Sequence, residues 1–194
     1  MIFFLPKWER RPTDFSTDQH VAFAGRLVKR RALLPIDGRD AGYVDEKRLK
    51  GVCFEVPRRR IEGYLEVLKS GEPKTTVKIW ECVRSDEEGG RTAAESFFKD
   101  VACPTAILAT GDRLAIGIME AARAHRIRIP EDMAIVGFDD IPAASLVSPQ
   151  LTTLHQPMAE KGRQAISSLL NEKAPLRLKL PTKLLIRQSC GAKS

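Results

Sequence analysis

Four residues of the chain could bind a polar small molecule. Arg60, Ser85, Gly111 and Asp139 each follow a segment that reads as a short β-strand. An arginine donates paired hydrogen bonds, a carboxylate accepts them from hydroxyl or amine groups, and a glycine lets a ligand approach the backbone. This set suits a polyhydroxylated or heterocyclic small molecule.

Structural explanations compete with this binding hypothesis. Arg60 could be a solvated member of the basic run 58–60, Asp112 could cap a helix, and Asp140 could cap the loop that follows it. For Asp139 a binding role is the better interpretation, because a carboxylate just past a buried strand is costly unless it has a partner.

The elements that must position these residues follow an alternating pattern. From about residue 50, apolar β-prone segments alternate with amphipathic ones, which predicts an α/β fold with a doubly wound parallel sheet covered on both faces. The main strands are predicted at residues 52–56, 76–81, 105–109 and 133–137, with shorter β segments at 151–154 and 182–187. Ligands of such sheets bind beyond the carboxyl ends of the strands.

Helices are predicted between these strands from apolar spacing and from start signals. Ser85 and Glu88 form a Ser-x-x-Glu capping signal, and Asp112 can cap the next helix. Pro157 suits the first turn of a last helix. The inner face of that helix is predicted to carry Ala165, Ile166, Leu169 and Leu170.

Composition limits the class of protein. The 194 residues are 43% hydrophobic and 29% charged, which allows a real core and argues against a membrane protein. Met1–Leu5 is far shorter than a membrane span and precedes the positive charges, whereas a secretory signal has the opposite order. We therefore expect a cytoplasmic protein.

Metal sites, cofactors and catalysis have little support in the sequence. The scattered cysteines and histidines show no zinc-ligand spacing, so neither a metal nor another cofactor is predicted. No Gly-x-Gly-x-x-Gly, Walker loop or Gly-x-Ser-x-Gly motif is present, so an enzyme is not predicted. Asp139-Asp140 could belong to a phosphate-accepting receiver, but the lysine and threonine that such a switch needs are not visible in order.

Three segments, in the same order and separation, resemble the lactose/galactose repressor (LacI/GalR) family. They are residues 103–117, which contain Ala109-Thr110-Gly111-Asp112, residues 129–140, which end in Gly137-Phe138-Asp139-Asp140, and residues 149–157. Upstream, Arg60-Ile61-Glu62-Gly63-Tyr64 matches the family's Arg-x-x-Gly-aromatic helix. Downstream, Gly162 and Leu184–Ser189 are similar to its closing helix and strand, so the likeness covers about residues 50–189.

The resemblance implies a periplasmic-binding-protein-like sensor domain that binds a small effector of the sugar or purine class. Arg60 and Asp139 match positions that contact the effector in the family, and Ser85 falls near a position that is often an aromatic wall. Gly111 stands where sugar-binding members often have asparagine. The resemblance also implies transcription regulation, often as a repressor, through a separate DNA-binding helix-turn-helix, together with homodimer formation.

The chain departs from the family at its start. Residues 1–49 are predicted to be a reduced remnant of the first subdomain, and residues 50–194 to be the sensor domain, essentially the C-terminal subdomain. No helix-turn-helix is visible, so contact with DNA is expected only through one absent from this chain. Two alternatives stay open: a free-standing small-molecule-binding protein of the same fold, or a non-functional, N-terminally truncated fragment.

Overall fold

The strands that the structure describes form a single sheet. A computed structural model describes residues 31–37, 42–45, 49, 55–70, 76–99, 103–170 and 178–192. The strands of this part are β1 (Arg31–Asp37), β2 (Gly42–Val44), β3 (Thr76–Cys82), β4 (Ala106–Leu108), β5 (Ala134–Asp139), β6 (Thr152–His155) and β7 (Lys183–Leu185). Their order across the sheet is β2-β3-β1-β4-β5-β6-β7.

The five central strands, from β3 to β6 across the sheet, are all parallel. The edge strands β2 and β7 pair antiparallel with β3 and β6. The first parallel strand of the chain, β1, lies between the second, β3, and the third, β4, so the strand order reverses between β1 and β4. Such a reversal opens a crevice at the carboxyl ends of the two strands, where ligands of α/β sheets bind.

In the described residues, four helices connect the strands. They are α1 (Glu55–Ser70), α2 (Glu87–Phe97), α3 (Asp112–Ala124) and α4 (Met158–Leu170), and two short 3-10 turns lie at Pro142–Ser145 and Gln188–Cys190. In the described part, no helix is long and apolar enough to cross a membrane.

Apolar side chains fill a core on each face of the sheet, because neighbouring residues of a strand point to opposite faces. Ile107 of β4 packs in the core that holds α2 and α3, whereas Leu108 packs in the other core with Ile61 and Leu65 of α1. The predicted covering of the sheet by helices on both faces is confirmed.

Two glycines let α2 and α3 pack closely. A Cβ atom at Gly90 would collide with the carbonyl oxygen of Leu114, and one at Gly117 would collide with that of Glu87. Any larger residue at these two places would force the helices apart.

Three of the four predicted main strands are confirmed at 76–81, 105–109 and 133–137, within a residue or two at each end. The strand predicted at 52–56 is wrong where it is described, because Glu55 and Val56 begin α1. Pro57 lies in the first turn of that helix, where its missing N–H is not needed.

The first strand of the sheet is β1, upstream of residue 50. It pairs with β3 along its whole length and also with β4. Residues 31–37 therefore belong to the same sheet as the predicted sensor domain, and the predicted boundary between 49 and 50 does not separate two sheets. Residues 1–30 lie outside the described residues.

Two predicted helix caps are wrong. The residue that caps α2 is Asp86 rather than Ser85, and its carboxylate accepts from the backbone N–H of Gly89 at 2.9 Å. The residue before α3 is Gly111, so Asp112 is the first residue inside that helix and does not cap it.

Candidate functional site

Arg60 and Asp139 form an ion pair at the carboxyl edge of the sheet. Nη2 of Arg60 lies 3.2 Å from Oδ1 of Asp139, and Nη1 donates to the backbone carbonyl of Thr110. The guanidinium also lies over the ring of Phe138, with its Cζ 3.8 Å from the ring centroid. The two charged side chains thus lie together at one edge of the sheet.

Three elements bring this pair together. Arg60 is in the second turn of α1, Thr110 follows β4, and Asp139 is the last residue of β5. Arg60 binds the carbonyl of Thr110 just after β4, and the strand order reverses between β4 and its neighbour β1. The ion pair therefore lies at the crevice that this topology creates.

The backbone at Asp139 has an unusual conformation. Its φ is 113°, and the φ of Asp140 is 59°. Residues other than glycine rarely adopt positive φ, and such strain is concentrated at functional sites because the surrounding structure must hold it. The chain thus turns sharply just where β5 presents its carboxylate.

A second group of polar side chains adjoins Asp139. Nε2 of Gln156 donates to Oδ1 of Asp139 at 2.5 Å, and Oε1 of Gln156 accepts from Nζ of Lys161 at 2.6 Å. Burial, reinforced by the nearby charge of Arg60, lowers the pKa of Lys161. The carboxylate of Asp139 thus binds one guanidinium and one amide, and that amide links it to Lys161.

Tyr64 adds a neutral phenol to this region. Burial raises its pKa to about 12, while the charge of Arg60 opposes the shift and that of Asp139 adds to it. The hydroxyl group is therefore protonated at neutral pH and can donate a hydrogen bond.

Gly111 lies beside the carboxylate of Asp139. A Cβ atom built at Gly111 would be 3.7 Å from Oδ2 of Asp139, which is ordinary van der Waals contact. The glycine therefore leaves space next to the carboxylate that a side chain, or a ligand, could occupy.

The neighbouring Asp140 has structural contacts. Its two carboxylate oxygens bind Nη2 of Arg187 at 2.7 Å and Nδ1 of His155 at 2.8 Å. These contacts tie the end of β5 to β6 and to the segment after β7. This geometry agrees with the structural role suggested for Asp140 from the sequence.

A model for the periplasmic binding protein-like domain matches residues 47–190. The chain belongs to this family. Over 163 residues it is 32% identical to the ribose operon repressor of Haemophilus influenzae, and this match covers 81% of this chain and 47% of that protein. Over 171 residues it is 34% identical to the HTH-type transcriptional repressor PurR of Proteus mirabilis, and this match covers 84% of this chain and 47% of that protein.

Solved structures agree with this family. A LacI family transcriptional regulator from Arthrobacter sp. FB24, in complex with lactose, has a TM-score of 0.71 and 25% identity, covering 90% of this chain and 63% of its own. An uncharacterized protein from Actinobacillus succinogenes has a TM-score of 0.72 and 29% identity, covering 94% and 67%. The predicted LacI/GalR resemblance and periplasmic-binding-protein-like fold are confirmed. The chain spans about half the length of the curated relatives it matches.

Ser85 is the predicted site residue that makes no contact with the ion pair among the described residues. It is exposed in the loop between β3 and α2. Among the described residues, no hydrogen bond or ion pair joins Ser85 to Arg60, Gly111 or Asp139. Its place after β3 puts it at the same edge of the sheet, and its part in a ligand site stays a prediction.

Sequence reasoning missed three residues around the pair in this domain. Phe138 and Gln156 contact the pair, and Lys161 binds Gln156. Gln156 follows the end of β6, so the rule that singled out Asp139 at the end of β5 would also have found Gln156. Phe138 and Lys161 carry no such signal, because their contacts depend on how β5 and α4 are placed. None of the described residues forms a cluster of three or more metal-binding side chains.

Proposed function

We propose that this chain is the effector-sensing part of a LacI/GalR-like regulator of DNA-templated transcription. Its effector is a small polar molecule of the sugar or purine class, bound in the crevice beside Arg60, Gly111 and Asp139, with Ser85 at the rim. The names of two relatives, a ribose operon repressor and PurR, and the lactose bound to a solved neighbour support this class.

The single observation that carries the proposal is the ion pair between Arg60 and Asp139 at the reversal of strand order. A ligand hydroxyl or ring nitrogen can accept from the guanidinium while a neighbouring hydroxyl or amine donates to the carboxylate. The face of Phe138 under the guanidinium fixes the direction in which Arg60 donates.

The sensor acts as part of a regulator that also binds DNA. DNA is contacted through a helix-turn-helix outside this chain, two copies form a homodimer, and the regulator works in the cytoplasm without catalysing a reaction. The effector acts by favouring one arrangement of the regulator over another, which it can do only by the difference between its affinities for the two.

Titration calorimetry tests the site. Ribose, lactose and a set of purine bases are titrated into the wild type, Arg60→Ala and Asp139→Ala, with Arg58→Ala as the matched control. Arg58 is on the same helix but forms an exposed ion pair with Glu62. Each site variant should weaken binding roughly ten- to a hundred-fold, because a lost charged hydrogen bond costs about 1–3 kcal/mol. The control should bind like the wild type.

Two results would contradict the proposal in different ways. Equal binding by the wild type and both site variants would show that the ligand is bound elsewhere. Failure of every compound to bind the folded wild type at millimolar concentration would contradict a sensing role for this chain in the sugar and purine class.

A further inference from the structure

Asp112 is the most buried carboxylate of the described residues, with only 1% of its surface exposed. Oδ1 accepts from the hydroxyl of Thr153 at 2.5 Å, and Oδ2 accepts from the backbone N–H of Ile141 at 2.9 Å. The partners come from β6 and from the loop after β5, whereas Asp112 itself begins α3. One carboxylate therefore joins three elements.

These contacts surround the turn that follows β5. Thr153, which donates to Asp112, also accepts from the backbone N–H of Asp140 at 3.4 Å. Both amides after Asp139 thus bind to Asp112, one directly and the other through a hydroxyl. Asp139 and Asp140 have positive φ, a conformation that persists only where contacts from outside the turn hold it.

The neighbouring strand leaves space for this carboxylate. A Cβ atom at Gly137 of β5 would collide with Oδ1 of Asp112. The absence of a side chain at that point in a buried strand has a cost in packing and in chain entropy. It is explained by the presence of the carboxylate behind the turn.

We infer that Asp112 is a positioning residue, whose carboxylate holds the turn after β5 so that Asp139 faces Arg60 in the crevice. The inference rests on the proposed function in one respect only, namely that Asp139 binds a ligand. The positioning itself is a property of the protein without ligand and can be tested without one. Asp112 has no contact with the ligand in this scheme and acts only through the turn.

The test measures the turn and Arg60 separately in the whole chain. Amide hydrogen exchange reports on Asp140 and Ile141, with Ile135, the second residue of β5, as the internal reference. The rate of phenylglyoxal modification, read residue by residue by mass spectrometry, reports how firmly Arg60 is held. The variants are Asp112→Ala, Asp112→Asn and Thr153→Val, with Asp132→Ala as the control.

In Asp112→Ala, the amides of Asp140 and Ile141 should exchange at least ten-fold faster relative to Ile135, and Arg60 should be modified several-fold faster. Asp112→Asn should restore both, because its amide oxygen can accept from Ile141 while its amide N–H donates to Thr153. Thr153→Val should loosen the turn as well, which keeps the test decisive if Asp112→Ala does not fold.

The control distinguishes the loss of a carboxylate behind the turn from the loss of a negative charge elsewhere in the protein. Asp132 is paired with Arg128 on the surface before β5, so Asp132→Ala should leave the turn and Arg60 unchanged. The inference is overturned if Asp112→Ala and Thr153→Val leave the two amides and Arg60 like the wild type. It is also overturned if the turn loosens while the reactivity of Arg60 does not change. Neither result depends on whether a sugar or purine binds.

Discussion

The helices α3 and α4 have the same length and a similar apolar stripe, yet they have opposite environments. Each has 13 residues. Most residues of α3 are buried between α2 and the sheet, whereas no residue of α4 is buried, and Leu169 and Leu170 are each 76% exposed. An amphipathic pattern thus predicts a helix with an apolar face, but the neighbouring elements decide whether that face is covered.

Three of the four residues predicted for the inner face of α4 are therefore exposed in this structure, and Ala165 is half-buried. Ile166, Leu169 and Leu170 were expected to be packed, and they are among the most exposed large apolar side chains that the structure describes. Ile166 and Leu170 line a shallow depression together with Gly162, Arg163 and Ser167. In stability, α4 should behave as a surface helix despite its core-like sequence.

A contrast of several kcal/mol is expected from truncating one isoleucine in each helix. Ile118 of α3 is fully buried, so Ile118→Ala should lower the free energy of unfolding by about 2–5 kcal/mol, from lost burial and the cavity left behind. Ile166 of α4 is 57% exposed, so Ile166→Ala should change it by less than about 0.5 kcal/mol. Urea denaturation measures both. Equal losses would mean that α4 is packed in solution.

The next contrast uses a glycine in each helix. Gly117→Ala would push a methyl group into the backbone of α2 and should cost about 1–3 kcal/mol. A Cβ at Gly162 meets nothing within 4 Å, so Gly162→Ala should stabilise the protein by up to about 1 kcal/mol through better helix propensity. Thermal unfolding should move the two melting temperatures in opposite directions. A destabilised Gly162→Ala would indicate a close neighbour of α4.

The predictable part of the fold is the part in which local pattern and tertiary packing agree. The strands β3, β4 and β5 are buried apolar segments bounded by helix signals, so their composition identifies them. The strand β1 contains Pro35, and a proline argues against a central strand because it has no N–H to donate. In the structure β1 pairs with β4 only at Ala32 and Leu33, so Pro35 lies beyond the part of β1 that pairs with β4.

The site was predictable to a similar degree. Topology places the carboxyl ends of parallel strands at one edge, so Arg60, Gly111 and Asp139 could be selected although the strand assigned before Arg60 was wrong. The contacts of Asp112 with Ile141 and Thr153 could not be predicted, because they span 29 and 41 residues of sequence. As a local signal, an acidic residue at the start of a helix indicates only a cap.

The acidic residues in the first turns of the two helices provide a pH test. Burial raises the pKa of Asp112 in α3 from 3.8 to about 6, whereas bonds from Gln164 and Arg163 lower the pKa of Glu160 in α4. Between about pH 4 and pH 6 the folded state binds more protons at Asp112 than the unfolded state does. Stability from this group therefore falls as pH rises through that window, by roughly 2 kcal/mol.

Urea denaturation of the wild type and Asp112→Asn at pH 4.5, 5.5 and 7 measures this effect. The stability of the wild type relative to the variant should decrease as the pH rises, because the asparagine cannot ionise. Glu160→Gln is the control. Removing the carboxylate of Glu160 should not make the stability of the wild type relative to the variant decrease as the pH rises. A difference between wild type and Asp112→Asn that is independent of pH would contradict the buried, ionising carboxylate.

The smallest change in stability is expected from placing a charge on the exposed face of α4. Leu170→Lys removes an exposed apolar side chain without opening a cavity, so the free energy of unfolding should change by less than about 0.5 kcal/mol. Contiguous apolar surface promotes association, so the variant should scatter less light than the wild type at high protein concentration. Leu114→Lys in buried α3 is the matched comparison and should prevent folding, because it places an unpaired charge in the core. If Leu170→Lys unfolds the chain as well, α4 has a covered face in solution, and the contrast between the two helices does not hold.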